Sequence, residues 1–305
     1  MRLSVAIVTR KRPKKLARCL DSIIRQRELP DTILVVDNDE NGSARPIVAR
    51  YRHRLPVEYL LEKTRGIPRA RNKAIDSFRT ELLGYVDDDC VLDSHWVYEA
   101  KRAIQAPSAS YVVGKTLLYN KHSIPARAHY FIYSYWFHRK IDIVTNRHRP
   151  KNLDTKNVVF KSAVFKTYEL RFDSRFNINP IGGGEDVDLS LALDQIELHG
   201  YYAPKMIVSH EEVDTFKKFF QKAYFRGRSS FLVHEKWKDS GYVILDPSKR
   251  NLLRWLMGLR KLPQDYREIG DGSAINKLQV LFLVKLYDRV HLRGFLDQSA
   301  LTSSI

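Results

Sequence analysis

The chain has 305 residues, 44% of them hydrophobic and 29% charged, which is enough apolar material for one large domain or two smaller ones and too much for global disorder. A formal charge of +17 calls for an anionic partner (nucleic acid, a membrane face or a phosphorylated substrate) or else a solvated basic surface. The two cysteines, Cys19 and Cys90, lack CxxC or CxxH spacing, which excludes a disulfide scaffold and a thiolate zinc site, and the longest late apolar run, residues 280–284, is too short to cross a bilayer.

The N-terminal run "LSVAIVT" is β-branched and almost continuously apolar, as expected for a strand buried on both faces. Pro13 then opens a helix in which Leu16, Leu20, Ile23 and Ile24 recur at helical spacing. "TILVVDN" at 32–38, "VEYLLE" at 57–62 and "LLGYV" at 82–86 read as further strands, with a helix over "IPRARNKAIDSF" before the last. Alternating strands and helices imply a parallel arrangement with helices on both faces, where ligands gather at the carboxyl ends of the strands. Thr9-Arg10, Asp37-Asn38 and Asp87–Asp89 all fall at such ends.

Beyond Ser94 a helix over 94–105 and a strand over "YVVGKTLLY" are expected, then an aromatic, basic stretch from Lys121 to Lys151. Its Tyr130, Phe131, Tyr133, Tyr135, Trp136 and Phe137 suit either stacking on sugar rings or a lipid interface, or a helix packing its aromatics inward. "NVVFKSAVF" resumes regular structure, a Gly-rich loop feeds a helix that Gly200 is expected to end, and "KMIVSH" forms a short strand closing at His210. From Thr215 onward the chain reads as basic amphipathic helix. The expected organisation is a catalytic domain over 1–213, in halves 1–105 and 106–213, with a helical extension over 214–305. No leader is expected, because the charges of "MRLSVAIVTRKRPKK" follow the apolar stretch; the expected location is cytoplasmic, peripheral at the inner membrane face. Without a zinc-finger, RRM or KH signature, nucleic acid is not expected as a partner.

Three constellations carry chemistry. Three adjacent aspartates, Asp87, Asp88 and Asp89, repel one another at the mouth of a buried strand, and a hard divalent cation such as Mg²⁺ or Mn²⁺ relieves that repulsion. A helix N-cap would use Asp93 or Ser94 and needs none of the three. "GIPRARNKAI" offers Gly66, a helix N-terminus and the fixed charges of Arg69 and Arg71 for a diphosphate. "GGGEDVDL" sets Glu185 and Asp186 at a helix start, where the macrodipole keeps a carboxylate ionised as a base; ordinary capping is the competing reading. His210 taken in isolation reads as a polar strand end.

In order along residues 3 to about 210, "VAIVTRKRPKKLARCLDSI", "ILVVDNDENGS", "GIPRARNKAI", "LLGYVDDDCVLDSHWV", "NVVFKSAVF" and "GGGEDVDLSLALDQIELHGYYAPKMIVSH" together resemble a family 2 glycosyltransferase. The resemblance implies a GT-A fold, a Rossmann-like mixed sheet flanked by helices, and inverting transfer from a nucleotide sugar, with UDP as the expected nucleotide. Combined with the aromatic stretch and the basic C-terminal helices, it leads to a glycan or polyprenyl-linked acceptor and an anionic membrane surface as expected partners in polysaccharide biosynthesis. By the same resemblance Thr9, Arg10, Asp37 and Asn38 contact the nucleoside, Arg71 lies near the diphosphate, and Asp87 or Asp88 lies near the ribose or donor sugar. The aspartates match a DxD motif with Asp89 as metal ligand, joined by Asp87 and His210, while Asp186 matches the catalytic base with Glu185 beside it. Asn38 stands where many members carry a second acidic residue, with Asp39 one later, and "RKRP" replaces the usual residues after the first-strand threonine. A Mg²⁺-dependent nucleotidyltransferase and a basic nucleic-acid-binding protein are the alternatives; the first would carry a Gly-rich phosphate loop after the first strand, which "TRKRPKK" lacks.

Overall fold

The computed structural model describes residues 1–137, 153–177, 183–240 and 274–303. These form two compact units: one comprises Met1–Tyr119, 153–174 and Glu185–His210, and the other comprises 120–137, 175–177, 183–184 and the described residues from Glu211 onward.

The first unit is built on one mixed sheet. β1 (Leu3–Thr9), β2 (Thr32–Asp37), β3 (Val57–Leu61) and β4 (Leu82–Asp87) run parallel in the order β3-β2-β1-β4. The centres of β1, β2 and β4 are apolar on both sides because both faces are covered. Val5 and Ile7 meet Leu16, Cys19, Leu20 and Ile23 of α1 (Pro13–Ile24) on one face, while Ala6 and Leu34 share the other with Ala70, Ala74 and Ile75 of α3 (Ile67–Ser77). α2 (Arg45–Tyr51), which the apolar periodicity did not announce, sits between β2 and β3 and buries Val48 and Tyr51. In the parallel register Thr9 pairs with Asp37, and its neighbour Val8 with Asp87, so three polar residues reach one level at the carboxyl ends.

Beyond β4 the sheet turns mixed. β5 (Cys90–Leu92) follows the aspartates at once, α4 (Trp96–Ala103) leads to β6 (Ala109–Leu118), and β7 (Asn157–Lys161) lies antiparallel to β4 and β6. α6 (Ala163–Lys166) and α7 (Glu185–Gln195) precede β8 (His199–His210), which runs parallel to β6 and antiparallel to β5. The register between β6 and β8 slips at Gly114/Lys115, and the buried Asn157 repairs the slip. Its Nδ2 donates to the carbonyls of Lys115 and Met206, both at 3.0 Å, and its Oδ1 accepts from Trp96 Nε1 at 2.7 Å.

β8 is twice the length that "KMIVSH" suggested, and Gly200 lies inside it rather than ending α7. Glu197, at φ 55, makes the left-handed turn out of the helix instead. Glycine is required at 200 for a different reason: a Cβ there would lie 2.2 Å from the Tyr111 ring on β6.

In the second unit α5 (Ile124–Phe137) packs with α8 (Phe216–Trp237) and α9 (Ala274–Ser303). Tyr130, Phe131 and Tyr133 are buried, so these three serve as packing; the side chains of Tyr135, Trp136 and Phe137 and the stretch 138–151 lie outside the described residues, as does Gly182. α8 and α9 cross at reciprocal glycines, since a Cβ on Gly227 would lie 2.0 Å from His291 O and one on Gly294 the same distance from Tyr224 O. Among the described residues no helix is long and apolar enough to cross a membrane.

Candidate active site

Asp87 closes β4, and Asp88 and Asp89 form the turn into β5. The chain surrounds them with donors of its own. Thr9 Oγ1 donates to Asp88 Oδ2 at 2.7 Å, and Arg12 Nη1 donates to both Asp88 Oδ1 and Asp89 Oδ2 at 2.9 Å. Lys15 Nζ lies 3.4 Å from Asp89 Oδ2, and His210 Nε2 lies 3.1 Å from Asp89 Oδ1. The sheet delivers the histidine, because His210 pairs with Cys90, the residue after Asp89. Arg12 and Lys15 arrive because α1 starts at Pro13, directly above the end of β1, so cations on its first turn overhang the carboxyl ends of the strands.

This environment splits the carboxylates. Burial lifts the Asp88 carboxyl above the usual range, and Arg12 only partly counters it. Burial also acts against Asp89, but His210, Arg12 and Lys15 outweigh it and hold that carboxyl well below the usual range. Behind them, burial and the neighbouring aspartates (all three for Cys19, Asp87 and Asp89 for Cys90) push both thiols up, which leaves them protonated and inert. Asp87, Asp89 and His210 each offer one ligand atom, all within 4.8 Å of one another, and two carboxylate oxygens with an imidazole nitrogen suit Mn²⁺ and also admit Mg²⁺.

The acidic pair at the start of α7 belongs to the same neighbourhood. Arg71 sits on the buried face of α3 with its Nη1 paired to Glu185 Oε1 and its Nη2 3.7 Å from Asp87 Oδ1. The Phe172 ring lies under its guanidinium at 5.4 Å, and Tyr85 donates to its backbone carbonyl at 2.9 Å. Burial works against the charge on Arg71, but Glu185, Asp87 and Asp186 together more than restore it. Glu185 Oε2 is buried without a hydrogen-bond partner among the described residues, while Asp186 Oδ1 accepts from the Val187 amide at 2.8 Å. Arg71 thus ties the aspartate cluster to the first turn of α7. Arg69, by contrast, is exposed.

At the end of β2 the side chains are spent on the protein itself. Asp37 accepts from the amides of Asp39 (3.1 Å) and Ala44 (2.7 Å) and from the Tyr59 hydroxyl (3.2 Å). Asn38 Nδ2 donates to the carbonyls of Glu62 and Thr64, both at 2.9 Å, and its Oδ1 accepts from the Gly66 amide at 2.7 Å. These bonds fix the loops after β2 and β3. Asp39, also buried, has Lys11 Nζ at 3.8 Å, and Arg10 Nε is buried without a hydrogen-bond partner among the described residues. Arg12, Lys15 and Tyr59 were not anticipated; for the first two the available signal was the basic run "RKRPKK" set directly against a strand end.

The profile of Glycosyl transferase family 2 matches residues 4–171, more than half of the chain. The chain belongs to glycosyl transferase family 2. The matched region contains Thr9, Arg71 and the three aspartates and ends before Glu185, Asp186 and His210. The chain is similar to the succinoglycan biosynthesis protein ExoM of Rhizobium meliloti (strain 1021), 27% identical over 136 residues, or 43% of this chain and 40% of that protein. Among solved structures it shares its fold with the mannosyltransferase PcManGT from Pyrobaculum calidifontis in complex with GDP-Man and Mn²⁺ (TM-score 0.62, 14% identity, 94% of this chain and 87% of that one). It is also similar to residues 1–349 of S. aureus TarS in complex with UDP-GlcNAc (TM-score 0.54, 12% identity, 96% and 92% covered). These neighbours, both at low identity, support the GT-A fold expected of the chain.

Proposed function

We propose that this family 2 chain transfers a sugar, with inversion, from a nucleotide-sugar donor to a hydroxyl of a glycan or lipid-linked glycan in polysaccharide biosynthesis. The observation that carries the reading is Arg71, whose guanidinium joins Asp87 of the aspartate cluster to Glu185 beside Asp186. A donor's leaving diphosphate and an acceptor hydroxyl need that adjacency, with positive charge at one end and a base at the other.

Asp89, Asp87 and His210 are the residues that would hold Mn²⁺ or Mg²⁺, and the ion would supply Lewis-acid stabilisation of the diphosphate when bound. Arg71, fixed as a cation by three carboxylates, adds permanent charge on the same side. Asp186 is the proposed base in preference to Glu185, since a Glu185 oxygen is engaged by Arg71. Thr9 holds Asp88 by its hydroxyl near the ribose or donor sugar. Asp37 and Asn38 would serve the nucleoside by fixing the loops around it, with Arg10 and Asp39 beside them. The similarity to ExoM supports a polysaccharide acceptor. The two structural neighbours carry different nucleotides, so both UDP- and GDP-sugars belong in the test, with UDP-sugars as the proposed donors.

The test is a panel of these donors scored for Mn²⁺-dependent thermal shift, then for transfer, with product configuration read by NMR. Asp186→Asn should keep the donor-induced shift and lower kcat by ~10²–10⁴. A kcat within twofold of wild type would remove Asp186 as the base.

Membrane association is a separate part of the proposal. Along α9 Ile275, Leu278 and Phe282 are exposed at helical spacing, and Lys285, Arg289 and Arg293 continue the exposed face. Apolar residues in line with cations suit an anionic bilayer surface. Co-sedimentation with anionic but not neutral liposomes is expected, and its absence at physiological salt would end this part alone.

A further inference from the structure

Each oxygen of the two buried carboxylates in the aspartate turn already has a protein group against it. Asp88, 2% exposed, is divided between Thr9 and Arg12, and Asp89 between His210 on one oxygen and Arg12 with Lys15 on the other. The two cations differ from the rest of the cluster in being reachable. The Arg12 side chain is 48% exposed, just ahead of the first turn of α1, and Lys15 is 31% exposed within it. They face Asp88 and Asp89, while Arg71 is shared between Asp87 and Glu185. A divalent cation entering this cluster alone would therefore meet two cations already paired with Asp89, one of its ligands. A divalent cation entering with a diphosphate would not, because the new negative charge offers Arg12 and Lys15 a second partner of the kind that guanidinium and ammonium groups bind well.

We propose that Arg12 and Lys15 are exchangeable counter-ions: they neutralise Asp88 and Asp89 while no donor is bound, and transfer to the donor's diphosphate when it arrives, releasing Asp89 to the divalent ion. This rests on the transferase reading above and deepens it. Affinity for metal and affinity for nucleotide become one linked quantity, and two residues at the start of α1 set the linkage. Arg71, buried against Glu185, takes no part in the exchange.

The experiment is Mn²⁺ titration of the full chain by electron paramagnetic resonance, without nucleotide and then with UDP or GDP, for wild type, Arg12→Gln and Lys15→Met. Wild type should bind Mn²⁺ weakly alone and at least about tenfold more tightly with a nucleoside diphosphate. Each variant should bind Mn²⁺ about tenfold more tightly than wild type without nucleotide, as removal of a nearby positive charge requires. Each should also bind the nucleotide more weakly, so that the mutual enhancement shrinks. Thermal melts confirm folding, and Lys15→Met, a change at the surface, carries the test if Arg12→Gln does not fold. Unchanged or weaker nucleotide-free Mn²⁺ binding in the folded variants overturns the counter-ion proposal and leaves the transferase intact. A wild type that binds Mn²⁺ neither alone nor with either nucleotide overturns both.

Discussion

Two arginines neutralise carboxylates in the same site, and they do so under opposite conditions. Arg12 reaches Asp88 and Asp89 from just ahead of α1 with nearly half of its side chain in water. Arg71 faces Glu185 with both side chains 6% exposed, on a helix face otherwise made of Pro68, Ala70, Ala74 and Ile75. The first pair can trade its partner for water or phosphate at little cost. The second cannot, because each member without the other is a buried charge that has lost its closest partner. The site thus contains one cation set by the fold and one that a ligand can recruit.

The sharpest way to break this contrast is to neutralise Glu185. Glu185→Gln leaves the Arg71 guanidinium buried with a weaker partner, and should cost about 3–5 kcal/mol of unfolding free energy, read by chemical denaturation. Replacing both residues by apolar side chains of similar volume should cost much less than the single change. If Glu185→Gln proves as mild as a surface substitution, Arg71 is free to relax and the distinction from Arg12 fails.

A second buried pair tests whether burial governs charge in the other unit as well. His129 on α5 has its Nδ1 2.6 Å from Glu212 Oε2, with the Phe219 and Tyr287 rings against it. Burial lowers the His129 pKa to about 3; Glu212 opposes this, and Lys222 and Arg226 reinforce it. The ring is therefore neutral in the folded chain and still able to donate from Nδ1. In the unfolded chain it protonates below its ordinary value of about 6.5. Between those two values the unfolded state binds the extra proton, so this contribution to stability is complete above about pH 6.5 and is lost as pH falls toward about 3. The unfolding free energy of His129→Gln should vary with pH in that window less steeply than wild type, by up to about 1.4 kcal/mol per pH unit. Equal slopes would show that the histidine is charged in the fold.

Much of this was legible in the residue string, and the rest was hidden for definable reasons. The runs at β1, β2 and β4 are apolar without alternation, which identifies strands covered on both faces, and the parallel register then carries Thr9, Asp37 and Asp87 to one level. The place of Arg71 was half visible, since an arginine among alanines at helical spacing marks a charge inside a buried stripe. The neighbour of His210 was visible through the family resemblance and not from the residues alone, because it depends on the antiparallel pairing of β5 with the end of β8, more than a hundred residues apart. β8 itself was halved by the expectation that Gly200 ends a helix, where its actual constraint is the Tyr111 ring on a strand far away in sequence. Arg12 and Lys15 were obscured by abundance: in a chain of net charge +17 a basic run looks like solvated surface until a strand end lies beneath it.

The smallest effect expected is the stability change in Arg12→Gln, and its size is informative for that reason. Arg12 makes two ion-pair contacts at 2.9 Å, as close as many that are strong, yet its guanidinium is substantially hydrated. An arginine this exposed loses little when it loses a partner, since water and salt replace most of what the partner supplies. The carboxylates lose more than the arginine does, but Asp89 keeps Lys15 and His210, and Asp88 keeps the Thr9 hydroxyl. A melting curve within a few degrees of wild type is therefore the expected outcome, in sharp contrast to Glu185→Gln. A loss of several kcal/mol would mean that Arg12 is as fixed as Arg71, and a cation the fold cannot spare is not one that a diphosphate can recruit.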